Sequence, residues 1–184
     1  SSCGDLLTHP AFIQQSMEAL RDIVETTFNK EVIVVIGAPI AHKNSIYNCA
    51  IVIYTGNIKG IVPKTVLRST PTNENRWFTS SSALTKGSTI NIFGETVPFD
   101  NRLLFTTPAY SFGIEIGDEA LAPLAPGATM ATQGADIILN PSAEATVAGG
   151  IKATKTSVEE RSRRYKCGYM HAGSGWGEST SNAA

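Results

Sequence analysis

The chain is expected to fold as an α/β protein built on a mixed sheet. Three observations carry that expectation. Apolar residues recur at helical spacing over residues 10–29, and an unbroken apolar run follows at 32–36. Glycine-centred turns split β-rich runs at Gly56-Asn57 and Phe93-Gly94-Glu95. A second, heavily charged helical segment at 154–166 leads into a small-residue strand at 168–173. Alternating helices and strands with hairpins interleaved describe a mixed sheet rather than a purely parallel array.

The elements follow in order. Ile13, Met17, Leu20, Val24 and Phe28 are spaced by three and four and share one helix face, opposite Glu18, Arg21 and Glu25. Pro10 suits the first turn, and Thr8 is the expected cap. Residues 32–36 show no polar alternation, so both faces of that strand are expected to be buried, with Gly37-Ala38-Pro39 closing it. Residues 49–54 and 58–62 form a predicted hairpin around Gly56-Asn57. Residues 103–105, 112–116 and 137–139 are further strand candidates. Residues 68–86 form the longest irregular stretch, and a loop of that length is usually functional or disordered.

Composition narrows the function classes. Hydrophobic residues make up 42% of the 184 positions and charged residues 17%, enough apolar side chain to offset the entropy of ordering and so to exclude disorder as the main state. Lys and Arg total 15 against 16 Asp and Glu, and this lack of basic excess argues against a nucleic-acid partner. No apolar run approaches the roughly 18 residues of a membrane span. Cys3, Cys49 and Cys167 are widely spaced, which fits neither a disulfide framework nor a zinc site and suits a reducing, cytoplasmic compartment. The chain opens on Ser1-Ser2-Cys3 without signal-peptide character and stops at Ala184 beyond a glycine-rich stretch, so it reads as a single domain over 1–184 cut at both ends.

Five segments offer chemistry. Lys64, after Ile61-Val62-Pro63, either points into a cleft to stabilise an oxyanion or is a surface lysine at a strand end. Glu74-Asn75-Arg76-Trp77-Phe78 either walls a pocket or pins the long loop. The strand ending in Glu115-Ile116 runs into Gly117, Asp118 and Glu119, a sheet-edge position where sites collect, or else a turn and the acidic start of a helix. Asn140-Pro141-Ser142-Ala143-Glu144 follows another strand at the same kind of edge. The glycine-rich stretch at 173–180 lacks the pattern of a phosphate loop.

Taken in order, these segments resemble the nitrilase (carbon–nitrogen hydrolase) superfamily, and more narrowly the glutaminase domain of glutamine-dependent NAD synthetases. The matching motifs are Ser2-Cys3-Gly4-Asp5-Leu6, Tyr47-Asn48-Cys49-Ala50, Gly60-Ile61-Val62-Pro63-Lys64-Thr65, Glu74-Asn75-Arg76-Trp77-Phe78, Val97-Pro98-Phe99 with Leu104-Phe105, Gly113-Ile114-Glu115-Ile116, Gly134-Ala135-Asp136-Ile137, Asn140-Pro141-Ser142 and Gly177-Glu178-Ser179-Thr180. Each is weak alone, but the ordered set spans nearly the whole chain.

The resemblance implies a four-layer α-β-β-α sandwich, here without its first strand. It also implies a Glu–Lys–Cys triad. The thiolate attacks the side-chain amide of glutamine, the lysine stabilises the tetrahedral intermediate, ammonia leaves and the thioester is hydrolysed. Lys64 matches the family lysine, and Glu74 the additional glutamate that orients the site. The general-base glutamate lies upstream of the matched motifs, outside this chain. The family pattern Glu-Ile-Cys-Glu-Asp reads Glu115-Ile116-Gly117-Asp118-Glu119 here, so Gly117 stands at the nucleophile position and offers no nucleophile.

The implied substrate residues are Asp118, Ser142 and Glu144. Asp118 keeps the charge that holds the glutamine amine. Glu144 replaces a serine and would repel the substrate carboxylate. The family arginine falls on Gly150, with Lys152 near. Cys49 and Cys167 resemble buried structural cysteines. No cofactor is implied for this domain; ATP and Mg belong to a separate synthetase domain, the expected partner together with glutamine or another small amide and a homo-oligomer.

Three functions are consistent with these residues. The chain is an ammonia-supplying glutaminase domain, a degenerate amidase kept as a scaffold or oligomer interface, or a binding module in which Lys64 and Glu144 pair. An absent first strand would expose apolar surface and paired edges, so the isolated chain is expected to be poorly soluble or completed by another segment.

Overall fold

The first helix, α1 (Pro10–Thr26), starts on a proline, whose ring presets the helical φ and whose missing N–H needs no partner there. The computed structural model describes residues 3–69, 73–143 and 150–173. They fall into two compact units, Cys3–Leu103 and the residues from Leu104 onward. The cap of α1 is His9 in extended conformation, not Thr8, whose hydroxyl instead donates to the Asp5 carbonyl at 2.7 Å and closes the short 3-10 helix Gly4–Thr8. Leu20 enters the core fully, with Met17, Ile23 and Val24 packed beside it. Phe28 does not share that role: it lies past the helix end and is 63% exposed.

Three antiparallel strands, β1 (Ile33–His42), β2 (Ser45–Tyr54) and β3 (Asn57–Pro63), form a sheet in that order. The expected short, doubly buried strand at 32–36 is corrected here. β1 runs straight through Gly37-Ala38-Pro39, Val32 is exposed, and residues 33–36 are half-buried. The reason is position: β1 is the edge, where a proline costs no ladder bond. Central β2 carries the doubly buried run instead, from Cys49 to Ile53.

The β2–β3 turn sits one residue earlier than expected. Thr55 and Gly56 both have positive φ (49° and 74°), and Tyr54 pairs with Asn57. A Cβ on Gly56 would stand 2.8 Å from the Phe28 ring, so this glycine answers both the turn and the ring. The hairpin β4 (Thr89–Ile92) with β5 (Glu95–Pro98) alternates, sending Ile90, Ile92 and Val97 into the core with Ile51, Ile53, Ile61 and Phe99.

The described residues of the long stretch at 68–86 are held rather than loose; residues 70–72 lie outside the described residues. The stretch contains 3-10 turns at Glu74–Arg76 and Ser81–Ala83. Ser81 donates to the Pro63 carbonyl at 2.9 Å, Trp77 donates to Asp5 at 3.0 Å, and Phe78 is buried.

The second unit carries the mixed sheet. Its strands are β6 (Phe105–Thr106), β7 (Ser111–Ile114), β8 (Ile137–Pro141) and β9 (Gly168–Ala172), in that order. β6 pairs antiparallel to β7, and the other pairs are parallel. The strand expected at 103–105 shrinks to the two residues of β6, and the one expected at 112–116 ends at Ile114. Two helices accompany the sheet, α2 (Pro126–Thr132) and α3 (Gly150–Tyr165). Sequence pattern misses α2, because seven residues containing Pro and Gly show no period; burial of Met130 holds it in place. The helix expected at 154–166 begins earlier, at Gly150.

Candidate functional site

The residues expected at the site fall into two groups, Lys64 and Glu74 in the first unit and Gly117, Asp118 and Ser142 in the second. Glu144 and residues 174–180 lie outside the described residues.

Lys64 follows β3, and its backbone N–H donates to the Asn48 carbonyl of β2 at 2.7 Å, which continues the ladder past Pro63. This places the side chain in the interior, 4% exposed, where the surface-lysine reading does not hold. Its Nζ lies 2.7 Å from Glu74 Oε2. The carboxylate also accepts from the Arg68 backbone N–H at 3.1 Å and, more weakly, from Asn48 Nδ2 at 3.4 Å. Glu74 reaches this position because the 3-10 turn Glu74–Arg76 folds the loop back under β3, with Asn73 in the left-handed region at φ 48°. The neighbours of Glu74 divide the labour. Arg76 and Trp77 turn outward to Asp5, while Phe78 turns in. A desolvated ammonium held by a carboxylate is an immobile positive charge, the kind of group that stabilises an oxyanion.

In the second unit β7 ends at Ile114, and the chain turns sharply at Gly117, φ 55°, into the 3-10 helix Gly117–Leu121. The buried carboxylate of Glu119 accepts from the Ile116 N–H at 2.7 Å, so the acidic start of this helix caps its own corner. Asp118 is half-buried beside it. Ser142 leaves the end of β8, where its N–H donates to the Ala172 carbonyl at 2.8 Å. Its hydroxyl is buried and has no hydrogen-bond partner among the described residues. Between Gly117 and Ser142 stands Asn140, buried, with its amide bonded to the carbonyls of Glu115 and Gly117 at 2.8 and 2.9 Å.

Beneath the corner Glu115 is wholly buried. Its carboxylate accepts from Tyr169 at 2.6 Å and from the Gly127 N–H at 2.8 Å. Burial, and after it the charge of Glu115, raises the Tyr169 phenol far above its ordinary pKa, so it stays a donor. A Cβ on Gly127 would stand 2.6 Å from that carboxylate, and this close approach explains the glycine. Arg161 of α3 closes the far side by donating to the Ala120 carbonyl at 2.7 Å.

Two of the three thiols, Cys49 and Cys167, are poorly placed to act as nucleophiles. Burial pushes Cys49 well above the ordinary thiol pKa. It raises Cys167 too, aided by the charge of Glu115. Among the described residues no group of three or more His, Cys, Asp or Glu is placed to hold a metal ion. Nor is any helix among them long and apolar enough to cross a membrane.

Sequence reasoning missed the parts played by Glu115, Glu119, Tyr169 and His171. Glu115 was legible only as an acid in an apolar strand. The pairing of Asn140 with His171 follows from the parallel β8–β9 register, which nothing local signals.

No protein-family model matches the chain. Among curated proteins it is 31% identical over 188 residues to a glutamine-dependent NAD(+) synthetase of Mycobacterium tuberculosis, an alignment covering 100% of this chain and 27% of that protein. It is 30% identical over 156 residues to the human glutamine-dependent NAD(+) synthetase, covering 76% and 21% respectively. The chain thus spans about a quarter of the length of the curated relatives it matches. The crystal structure of a glutamine-dependent NAD(+) synthetase from Cytophaga hutchinsonii superposes with a TM-score of 0.79 at 24% identity, covering 92% of this chain and 27% of that one. Saccharomyces cerevisiae Nit3, a member of branch 10 of the nitrilase superfamily, superposes with a TM-score of 0.59 at 18% identity, covering 90% and 54%.

Proposed function

Because the chain is a homologue of the glutamine-dependent NAD(+) synthetases and carries the fold of the nitrilase superfamily, we propose that it is the glutamine-hydrolysing, ammonia-supplying type of domain of such a protein, with its nucleophile position vacated at Gly117. The observation that carries this reading is the buried Lys64–Glu74 pair, which sits at the positions where the resemblance expects a catalytic lysine and its companion glutamate. In the proposed chemistry a nucleophile adds to the amide carbon of glutamine, and Lys64 stabilises the oxyanion. The C–N bond breaks, the nitrogen leaves as ammonia after gaining a proton, and water releases glutamate from the acyl intermediate. By the resemblance alone, Asp118 would hold the substrate amine and Ser142 would contact the substrate. ATP and Mg would serve a separate synthetase domain, and no residue of this chain is assigned to them. Cytoplasmic location and self-association belong to the same proposal.

One observation favours a second reading. Gly117 supplies no thiol, and neither Cys49 nor Cys167 is activated. The domain would then be a degenerate amidase that keeps the sandwich as a scaffold or oligomer interface. Ammonia release from glutamine by the whole parent protein, beside a Lys64→Ala variant checked for folding, separates the two. Release that depends on Lys64 supports the hydrolase and places the nucleophile elsewhere. A folded protein that releases none, while using free ammonia, supports the scaffold.

A further inference from the structure

Asn140 and His171 are direct partners across the parallel strands β8 and β9. The Asn140 amide has one end 2.8 Å from the Glu115 carbonyl and 2.9 Å from the Gly117 carbonyl. Carbonyl oxygens only accept, so this end is the NH2 group, and the amide oxygen faces the other way. That oxygen is 2.7 Å from His171 Nδ1. An amide oxygen carries no hydrogen, so Nδ1 must supply one.

We infer that His171 is held as its Nδ1–H tautomer and acts, through Asn140, as the positioning residue of the Gly117 corner. The chain of bonds is continuous. His171 fixes which way the Asn140 amide faces, and Asn140 ties together the two carbonyls that flank Ile116. Glu119 takes the Ile116 N–H from the other side. The corner is thereby set by side chains from β9, β8 and the 3-10 helix Gly117–Leu121, together with the left-handed backbone of Gly117 itself. His171 Nε2, left as the acceptor, lies beside Gly173, 3.8 Å from where a Cβ there would stand. The inference rests on this geometry alone and holds whether or not glutamine is hydrolysed.

The test is nitrogen NMR on the protein labelled with 15N-histidine. Only three histidines are present, and His171→Asn identifies the signal of residue 171 by its loss. Neutral histidine in water favours the Nε2–H form. The expected result is the opposite, a protonated Nδ1 and an unprotonated Nε2; an Nε2–H tautomer overturns the inference. A second readout is hydrogen exchange of the Asn140 side-chain amide. It should quicken by about tenfold in His171→Phe, the scale of one lost hydrogen bond, and stay near the unmodified rate in His171→Asn, whose amide donates from the same place as Nδ1. Equal exchange in His171→Phe and the unmodified protein, or failure of His171→Asn to preserve the slow rate, overturns it as well. If His171→Phe does not fold, the tautomer of the unmodified protein still decides. None of these readouts involves ammonia, so their failure is distinct from failure of the proposed hydrolysis.

Discussion

Lys64 and Glu74 stabilise each other only as a pair. Taking either charge alone out of water is expensive, and at 2.7 Å in the interior each is the other's compensation. Lys64→Ala leaves the Glu74 carboxylate buried without its cation, and the expected loss is about 3–5 kcal/mol of unfolding free energy. Replacing both together, Lys64→Met with Glu74→Leu, removes both charges at similar volume and should recover most of that loss. Urea titration of the three proteins checks this. A single variant as stable as the parent would mean that water reaches the pair. The lysine was legible in the sequence as a residue held by Pro63 at a strand end, but its burial was not. Ten residues separate it from Glu74, and only the folded loop shows that they meet.

The parallel strands of the second unit are pinned at their beginnings by a side chain. Asp136, just before β8, accepts from the Ser111 backbone N–H at 2.7 Å and the Ser111 hydroxyl at 2.9 Å at the start of β7. These bonds, the backbone one first, hold the Asp136 carboxyl below its ordinary pKa. A depressed folded-state pKa contributes stability that is present above the unfolded value, about 3.9, and lost as pH falls through the folded one. Asp136→Asn should therefore be less stable than the parent at pH 7, and the difference should shrink as pH drops below about 4. Denaturant midpoints from pH 7 to pH 2 measure it; a difference constant with pH would refute the linkage. At this scale sequence pattern served where periodicity was strong. α1, β2, the β4–β5 hairpin, α3 and β9 all lie close to where it placed them. It fails at β1, because the five consecutive β-branched residues at 32–36 look alike at an edge and in a centre.

At the scale of the whole molecule, apolar surface remains open. Leu124 is 90% exposed and Leu121 60%, three residues apart between the Gly117 corner and α2. Ile151 of α3, Phe28 and Met170 are exposed as well. Two neighbouring exposed leucines, as at Leu121 and Leu124, are the kind of apolar surface that partners cover. The chain on its own is expected to self-associate, and its light-scattering mass should rise with concentration. Leu121→Ser with Leu124→Ser should lower that rise. A stable monomer at high concentration would contradict the expectation.

The sequence alone determined the class of fold and the residue types available for chemistry, because hydrophobic period, turn glycines and motif order are local properties of the chain. It also determined that residue 117 brings no nucleophile, since a missing side chain is visible without coordinates. Tertiary structure alone decided which polar groups meet. The Lys64–Glu74 pair, the Glu115–Tyr169 bond and the tie from His171 through Asn140 to Gly117 join residues 10, 54 and up to 54 positions apart. Such contacts depend on register and on burial, and in a low-dielectric interior they are what a polar group must find before the chain can bury it.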